Sequence, residues 1–145
     1  MVLALAPRDI RRVTLRNVLR LARQIDTWLV APALLVVIYG ELAHGGVVDV
    51  LSRNVWDKAL HFTAYCGLCF MTTIAARTYR SALWCALGLV ALGGVLEIVQ
   101  GFTGRDCDIY DELANTIGVT AGFAVAWFVS AALSAGKLVG DTKPD

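Results

Sequence analysis

The chain has few charged residues. Asp, Glu, Lys and Arg make up 17% of its 145 residues, whereas 57% are hydrophobic and the mean hydropathy is +0.63. That balance excludes an ordinary soluble globule of this size. Four apolar stretches, 27–43, 59–76, 81–103 and 113–136, leave almost no polar face, which argues against a soluble helical bundle. A helix needs about 20 residues to cross the hydrocarbon core. We therefore predict an all-α membrane protein with four transmembrane helices in a bundle, the first two at the short end of that range.

Other features are also missing. The chain shows no internal repeat, no low-complexity tract and no soluble domain. Its four cysteines predict no disulfide framework, because Cys107 has no partner on its side of the membrane. Cys66 and Cys69 have redox or metal spacing, but they lie within the second apolar stretch, where a thiol usually acts as a small apolar residue. The N-terminal arginine run has no interleaved aromatic residues, so we expect no nucleic-acid partner.

The basic residues are distributed unevenly. Ten of the thirteen fall on one predicted side of the membrane: Arg8, Arg11, Arg12, Arg16, Arg20, Arg23, Arg77, Arg80, Lys137 and Lys143. The positive-inside rule places this side in the cytoplasm. We therefore predict a multi-pass protein with both termini in the cytoplasm and with the loops 44–58 and 104–112 facing outward.

Three segments are expected along the chain. Residues 1–26 read as a basic amphipathic helix on the inner leaflet, 27–136 as the transmembrane bundle and 137–145 as a polar cytoplasmic tail. A basic helix of this kind is attracted to anionic lipid. Two faces define it, one with Arg12, Arg16, Arg20 and Arg23 and the other with Ile10, Val18, Leu21 and Ile25.

Polar and ionisable residues gather at the outward ends of three apolar stretches. Such groups are costly within a membrane and usually mark a functional site. Helical spacing places Asp57, His61 and Tyr65 on one face of the second span. The other members are Lys58, Glu97, Gln100, Arg105, Asp108, Asp111 and Asn115. We predict that all of these side chains reach one polar pocket that opens outward.

Three uses of this pocket remain open. The charges can form a structural network between helices. One histidine with several carboxylates also suits a divalent ion such as Mg²⁺, Mn²⁺ or Zn²⁺, although such sets are common without metal, and no metal ligand is assigned. In the third use, His61 with Glu97 or Asp111 transfers protons. No serine nucleophile motif adjoins His61, and nothing polar continues to the cytoplasmic face, which argues against ion transport.

The fourth stretch carries small residues four apart, at Ala114, Gly118, Gly122 and Ala126. Such a stripe lets another backbone approach closely. Tight packing within the bundle is the first interpretation, and a homodimer through Gly118 and Gly122 is the second.

The blocks 57–62, 97–100 and 104–118, followed by Gly122, resemble the VanZ-like family. The third block is the most specific, since charged and small residues stay in register along it. The similarity covers about 55–122, matches the short stand-alone form of the family and leaves the N-terminal basic helix outside. It implies a small protein of the bacterial cytoplasmic (inner) membrane, from a family whose namesake is associated with teicoplanin resistance. The family's polar positions fall on Lys58, His61, Glu97, Gln100, Arg105, Asp111 and Asn115.

The resemblance names no reaction, no catalytic residue and no cofactor. We expect the pocket to bind or modify a lipid-linked or phosphate-bearing envelope component, with Lys58 and Arg105 holding the anion. In that hypothesis His61, Glu97 and Asp111 are the candidate catalytic residues. Gln100, Asn115, Asp57, Asp108 and Tyr65 complete the candidate binding residues. The alternative is a non-enzymatic binding or assembly module in which the same network is structural.

Overall fold

A computed structural model describes residues 7–42, 57–103 and 108–135. These residues form four helices: α1 (Pro7–Leu42), α2 (Asp57–Ala75), α3 (Tyr79–Phe102) and α4 (Ile109–Ala135). The predicted all-α fold is confirmed for this part of the chain. The predicted tail 137–145, Arg105 and Cys107 lie outside it.

Three helices are long and apolar enough to cross a membrane, over Arg20–Leu42, Tyr79–Phe102 and Ile109–Ala132. Their outer faces carry large apolar side chains that water would not favour, such as Trp28 at 83% exposure and Phe102 at 87%. Contact with lipid tails accounts for such faces. These features identify a membrane protein, and three of its helices have the length and composition of membrane spans.

The fourth predicted span, α2, is less apolar and does not qualify as a membrane span by length and composition. Its 19 residues extend about 28 Å at 1.5 Å per residue, but its first turns carry Asp57, Lys58 and His61. The helix packs against all three others, so much of its polar surface faces protein and not lipid. That α2 crosses the membrane stays a prediction.

Helix α1 differs from the sequence expectation. A separate amphipathic helix over 1–26 is not confirmed, because the described part of that segment and the first apolar stretch form one continuous helix. The helix also continues through Pro32. A proline is tolerated in membrane helices where neighbouring groups satisfy the freed backbone carbonyl.

The core lies between α2, α3 and α4. Its buried members are Tyr65, Leu68, Cys69, Ala86, Leu89 and Val119. Helix α1 covers one side of this cluster with the half-buried Ala33, Leu34 and Val37. The core places α2 at the centre of the bundle.

The small-residue stripe of α4 faces α2. A methyl group on Gly118 would strike the backbone carbonyl of Phe62, and one on Gly122 would strike that of Cys66. The two backbones therefore pack directly on each other, as the intramolecular interpretation expects. A homodimer through the same glycines stays a prediction, and it would have to displace α2 from this face.

A tight hairpin joins α2 and α3. Thr78 caps α3 by accepting a hydrogen bond from the backbone N–H of Ser81, whose hydroxyl in turn accepts from the N–H of Thr78. The hairpin makes α2 and α3 antiparallel. The contacts of Gln100 with Glu41 and of Lys58 with Asp111 bring the ends of α1 and α3 to the same end of the bundle as the starts of α2 and α4. We call this the cluster end of the bundle.

Candidate functional site

Polar side chains from all four helices meet at the cluster end. They come from the last turns of α1 and α3 and the first turns of α2 and α4. The described members are Glu41, Asp57, Lys58, His61, Glu97, Gln100, Asp108, Asp111 and Asn115, and we refer to them together as the polar cluster. Arg105, which the sequence placed with them, lies outside the described residues.

Lys58 ties the start of α2 to the start of α4. Its Nζ donates to Asp108 Oδ2 at 2.6 Å and to Asp111 Oδ1 at 2.9 Å. Hydrogen bonding to these carboxylates raises the pKa of Lys58 above its usual value, and the same ammonium lowers the pKa of Asp108. Lys58 and Asp108 therefore stay charged around neutral pH.

Asp108 is also the N-cap of α4. Its Oδ1 accepts from the backbone N–H of Tyr110 at 2.9 Å, which satisfies one of the free donors of the first turn. Asp111 follows on that turn, where the positive end of the helix dipole favours a carboxylate. The sequence Asp108-Ile109-Tyr110-Asp111 thus starts the helix and presents two acids to Lys58.

His61 lies at the centre of the polar cluster and is 7% exposed. Its Nδ1 is 3.1 Å from Asn115 Oδ1 and its Nε2 is 3.9 Å from Asp111 Oδ2. Asn115 donates its amide group to Glu112 Oε2 at 3.3 Å, which turns its oxygen toward the imidazole. Both ring nitrogens therefore face oxygen atoms.

Glu97 closes the polar cluster from α3 and is 4% exposed. Its Oε2 accepts from the backbone N–H of Asp108 at 3.3 Å. Its Oε1 is buried and has no hydrogen-bond partner among the residues that the structure describes. A buried ionised oxygen without a partner is strongly disfavoured.

Glu41 also belongs to this site, although it was not predicted from the sequence. It is 7% exposed, its Oε1 lies 3.6 Å from His61 Nδ1, and its backbone carbonyl accepts from Gln100 Nε2 at 2.8 Å. The fully buried Tyr65 packs beside its carboxylate. The available signal was an acid at the end of an apolar stretch, the same pattern that singled out Glu97.

The polar cluster is acidic. Within the described residues its end of the bundle holds one lysine or arginine side chain, Lys58, which binds Asp108 and Asp111. The carboxylates there are Glu41, Asp57, Glu97, Asp108, Asp111 and Glu112. Such an excess attracts a proton, a metal ion or a cationic group.

Two sets of donor atoms have the composition of a metal site. One is Glu41, His61 and Glu97, and the other is Asp57, His61 and Asp111. Within each set the donor atoms lie within 4.8 Å of one another. His61 is common to both, so the two sets cannot both use the same ring nitrogen.

An apolar groove runs beside the polar cluster, between α2 and α4. It encloses about 390 Å³, and Lys58 and Tyr110 stand at one end of it. Its walls are Ala59, Phe62, Leu113, Ala114 and Ile117. A second cleft of about 300 Å³ shares Phe62 and extends to Phe70, Gly122 and Val125. We refer to the first of these as the α2–α4 groove.

The Cys66-x-x-Cys69 motif lies below the polar cluster in α2. Cys69 is buried with its Sγ 3.9 Å from Thr73 Oγ1, and Cys66 is half-buried against α4. Both thiols are free. Their surroundings match the expectation that they pack as small apolar residues.

The structure brings the candidate residues His61, Glu97 and Asp111 together, with Asn115, Lys58 and Asp57 around them. The family model VanZ/LLP1 matches residues 7–130, most of the chain. The chain belongs to the VanZ/LLP1 family. Comparison with curated proteins and with solved structures gave no match.

The extent of the match corrects one expectation. The resemblance seen in the sequence left the N-terminal basic segment outside, but the VanZ/LLP1 match begins at residue 7. That agrees with the structure, in which the basic segment and the first span are one helix. Residues 7–26 of the segment therefore lie within the family match.

Proposed function

We propose that this VanZ/LLP1 protein binds a lipid-linked, phosphate-bearing component of the cell envelope at the polar cluster. One observation carries the proposal: the α2–α4 groove ends at Lys58, which belongs to the polar cluster. A ligand with a hydrocarbon chain and a polar head needs this pairing of an apolar channel with charged groups. The hydrocarbon chain lies in the groove and the head at the cluster.

The proposed location is the bacterial cytoplasmic membrane, with both termini in the cytoplasm and the polar cluster facing outward. The excess of basic residues on one predicted side of the membrane supports this orientation. An outward site meets envelope precursors after they have crossed the membrane. That position is compatible with a role in glycopeptide, and specifically teicoplanin, resistance.

The proposed roles combine the contacts of the described residues with the sequence prediction for Arg105. Lys58 and Arg105 hold the anion, and Gln100 and Asn115 orient the groups around it. If the ligand is modified, His61 exchanges a proton with Asp111, since its Nε2 lies 3.9 Å from Asp111 Oδ2. Glu97 is the second candidate partner of His61.

Filling the groove tests the proposal. Ala114→Phe places a ring in the groove and should weaken binding of a polyprenyl phosphate by about tenfold or more, or ~1.4 kcal/mol. Binding is measured by native mass spectrometry of the full chain released from detergent. The matched control is Ala124→Phe, an exposed alanine on the same helix outside the groove.

The headgroup is tested separately. A polyprenol of equal length without phosphate should bind more weakly than the phosphate to the wild-type protein. Equal affinity for the two lipids, or equal loss in Ala114→Phe and Ala124→Phe, would contradict the proposal.

The second candidate function is a membrane binding or assembly module whose polar network is structural. The contacts that favour it link all four helices: Lys58 joins α2 to α4, Gln100 joins α3 to α1, and Glu97 joins α3 to the start of α4. Such hydrogen bonds contribute on the order of 1 kcal/mol each in membrane proteins.

A further inference from the structure

Three buried side chains converge from three different helices. Glu41 of α1, His61 of α2 and Glu97 of α3 are 7%, 7% and 4% exposed. One donor atom from each lies within 4.8 Å of the other two. Glu41 Oε1 lies 3.6 Å from His61 Nδ1. The set is therefore compact before anything binds.

Glu97 provides an independent reason to expect a ligand. Its Oε1 is buried without a hydrogen-bond partner in the described part of the chain. The lysine of the polar cluster, Lys58, is hydrogen-bonded to Asp108 and Asp111 instead. An ionised oxygen in this position needs a cation or a proton, because desolvation without a partner is expensive.

We propose that Glu41, His61 and Glu97 bind a divalent transition-metal ion, Zn²⁺ or Mn²⁺. Imidazole nitrogen suits zinc and its neighbours, and carboxylate oxygen suits both zinc and manganese. In a tetrahedral site with bonds of ~2.0–2.1 Å, donor atoms stand ~3.4 Å apart. The 3.6 Å between Glu41 and His61 is already close to that spacing.

The surroundings of His61 favour these three ligands over the alternative ligand set of Asp57, His61 and Asp111. With the metal on Nδ1, the opposite nitrogen Nε2 faces Asp111 Oδ2 at 3.9 Å. A carboxylate behind a metal-bound histidine fixes the ring and strengthens the ligand. Asp111 is also held by Lys58, which competes with a metal for its charge. Asn115 Oδ1, 3.1 Å from Nδ1, is a further oxygen donor within reach.

A metal ion changes what the polar cluster can bind. It converts an acidic pocket into one with a positive centre, which attracts the oxygens of a phosphate headgroup. This consequence rests on the proposed lipid ligand, whereas the metal site itself does not.

Metal binding is measured on the purified full chain in detergent, without added lipid. After treatment with EDTA, ZnCl₂ or MnCl₂ is titrated by calorimetry, with MgCl₂ for comparison. We expect one ion per chain, and Glu97→Gln should weaken its affinity by at least about tenfold. Asp26→Asn, which removes a carboxylate from α1 far from the cluster, should leave the affinity unchanged.

X-ray absorption of the zinc-loaded wild-type protein keeps the test independent of how the variant folds. We expect a first shell of oxygen with one imidazole nitrogen. Sulfur ligands in that shell would show that the cysteines bind the ion and would overturn the proposal. Absence of binding, or loss in Asp57→Asn but not in Glu97→Gln, would also overturn it. Failure of lipid binding with intact metal binding would count against the proposed function alone.

Discussion

Burial distinguishes the residues at the cluster end from ordinary charges at a membrane surface. His61, Glu97 and Asp111 are each less than a tenth exposed, and Asn115 is fully buried. Polar groups in that environment are kept only where they bond to one another or to a ligand. Leaving the buried Glu97 Oε1 without a hydrogen-bond partner costs free energy. Glu97 is therefore the most informative residue to substitute.

Substitution of single residues separates function from structure. Glu97→Gln keeps the size of the side chain and an oxygen that accepts from Asp108, so the folding free energy should change by no more than about 1 kcal/mol. We expect Glu97→Gln and His61→Ala to abolish the resistance or envelope phenotype at normal protein abundance. The measurement is growth under teicoplanin together with quantitative immunoblotting.

The control for these variants is Ile98→Ala, which truncates an exposed, lipid-facing side chain beside Glu97. It should leave the phenotype unchanged. A drop in abundance or in melting temperature that accounts for the lost phenotype would support the structural module instead.

Most of the polar cluster could be read from helical spacing. Asp57, His61 and Tyr65 share a face, and Asp111 and Asn115 share another, because residues four apart stack on a helix. Glu41 could not be found this way, since it has no polar neighbour in register along α1. Its one signal in the sequence was its position at the end of an apolar stretch, and its contact with His61 follows from the packing of α1 against α2.

At the scale of elements, the contact between α2 and α4 positions the site. Backbone-to-backbone packing at Gly118 and Gly122 brings Phe62 and Cys66 against α4. The same approach holds His61 opposite Asn115, one turn above. The spacing of the stripe predicted this packing, but its partner helix could not be identified from one sequence.

Gly118→Ala and Gly122→Ala should each destabilise the bundle by about 1–3 kcal/mol, because the added methyl group meets backbone that cannot rotate away. Thermal unfolding in a fixed detergent measures the loss. Gly88→Ala on α3 is the matched control, since a methyl group there meets nothing within 4 Å. Equal effects at all three sites would show that the contact with α2 does not matter.

The continuity of α1 could not be predicted from the sequence, for a different reason. The sequence changes from a basic amphipathic pattern over 1–26 to an apolar one over 27–43, and this change was interpreted as a boundary between two elements. A helix can change its surroundings without ending, because backbone hydrogen bonding does not depend on which side chains face lipid. The sequence pattern therefore marked a change of environment and not a helix boundary.

At the scale of the whole molecule, the orientation in the membrane decides which compartment the polar cluster serves. The charge distribution predicts that the 104–112 segment faces outward. Cys107 in that segment should therefore react with a membrane-impermeant maleimide on intact spheroplasts. Cys107→Ser should abolish the labelling. Labelling that appears only after permeabilisation would place the cluster on the cytoplasmic side.

The most direct measurement is an experimental structure of the full chain with a bound polyprenyl phosphate. The account predicts headgroup density between Lys58, His61 and Glu97, with the hydrocarbon chain in the α2–α4 groove. Lipid density elsewhere on the bundle, or His61, Glu97 and Asp111 turned away from one another, would contradict it.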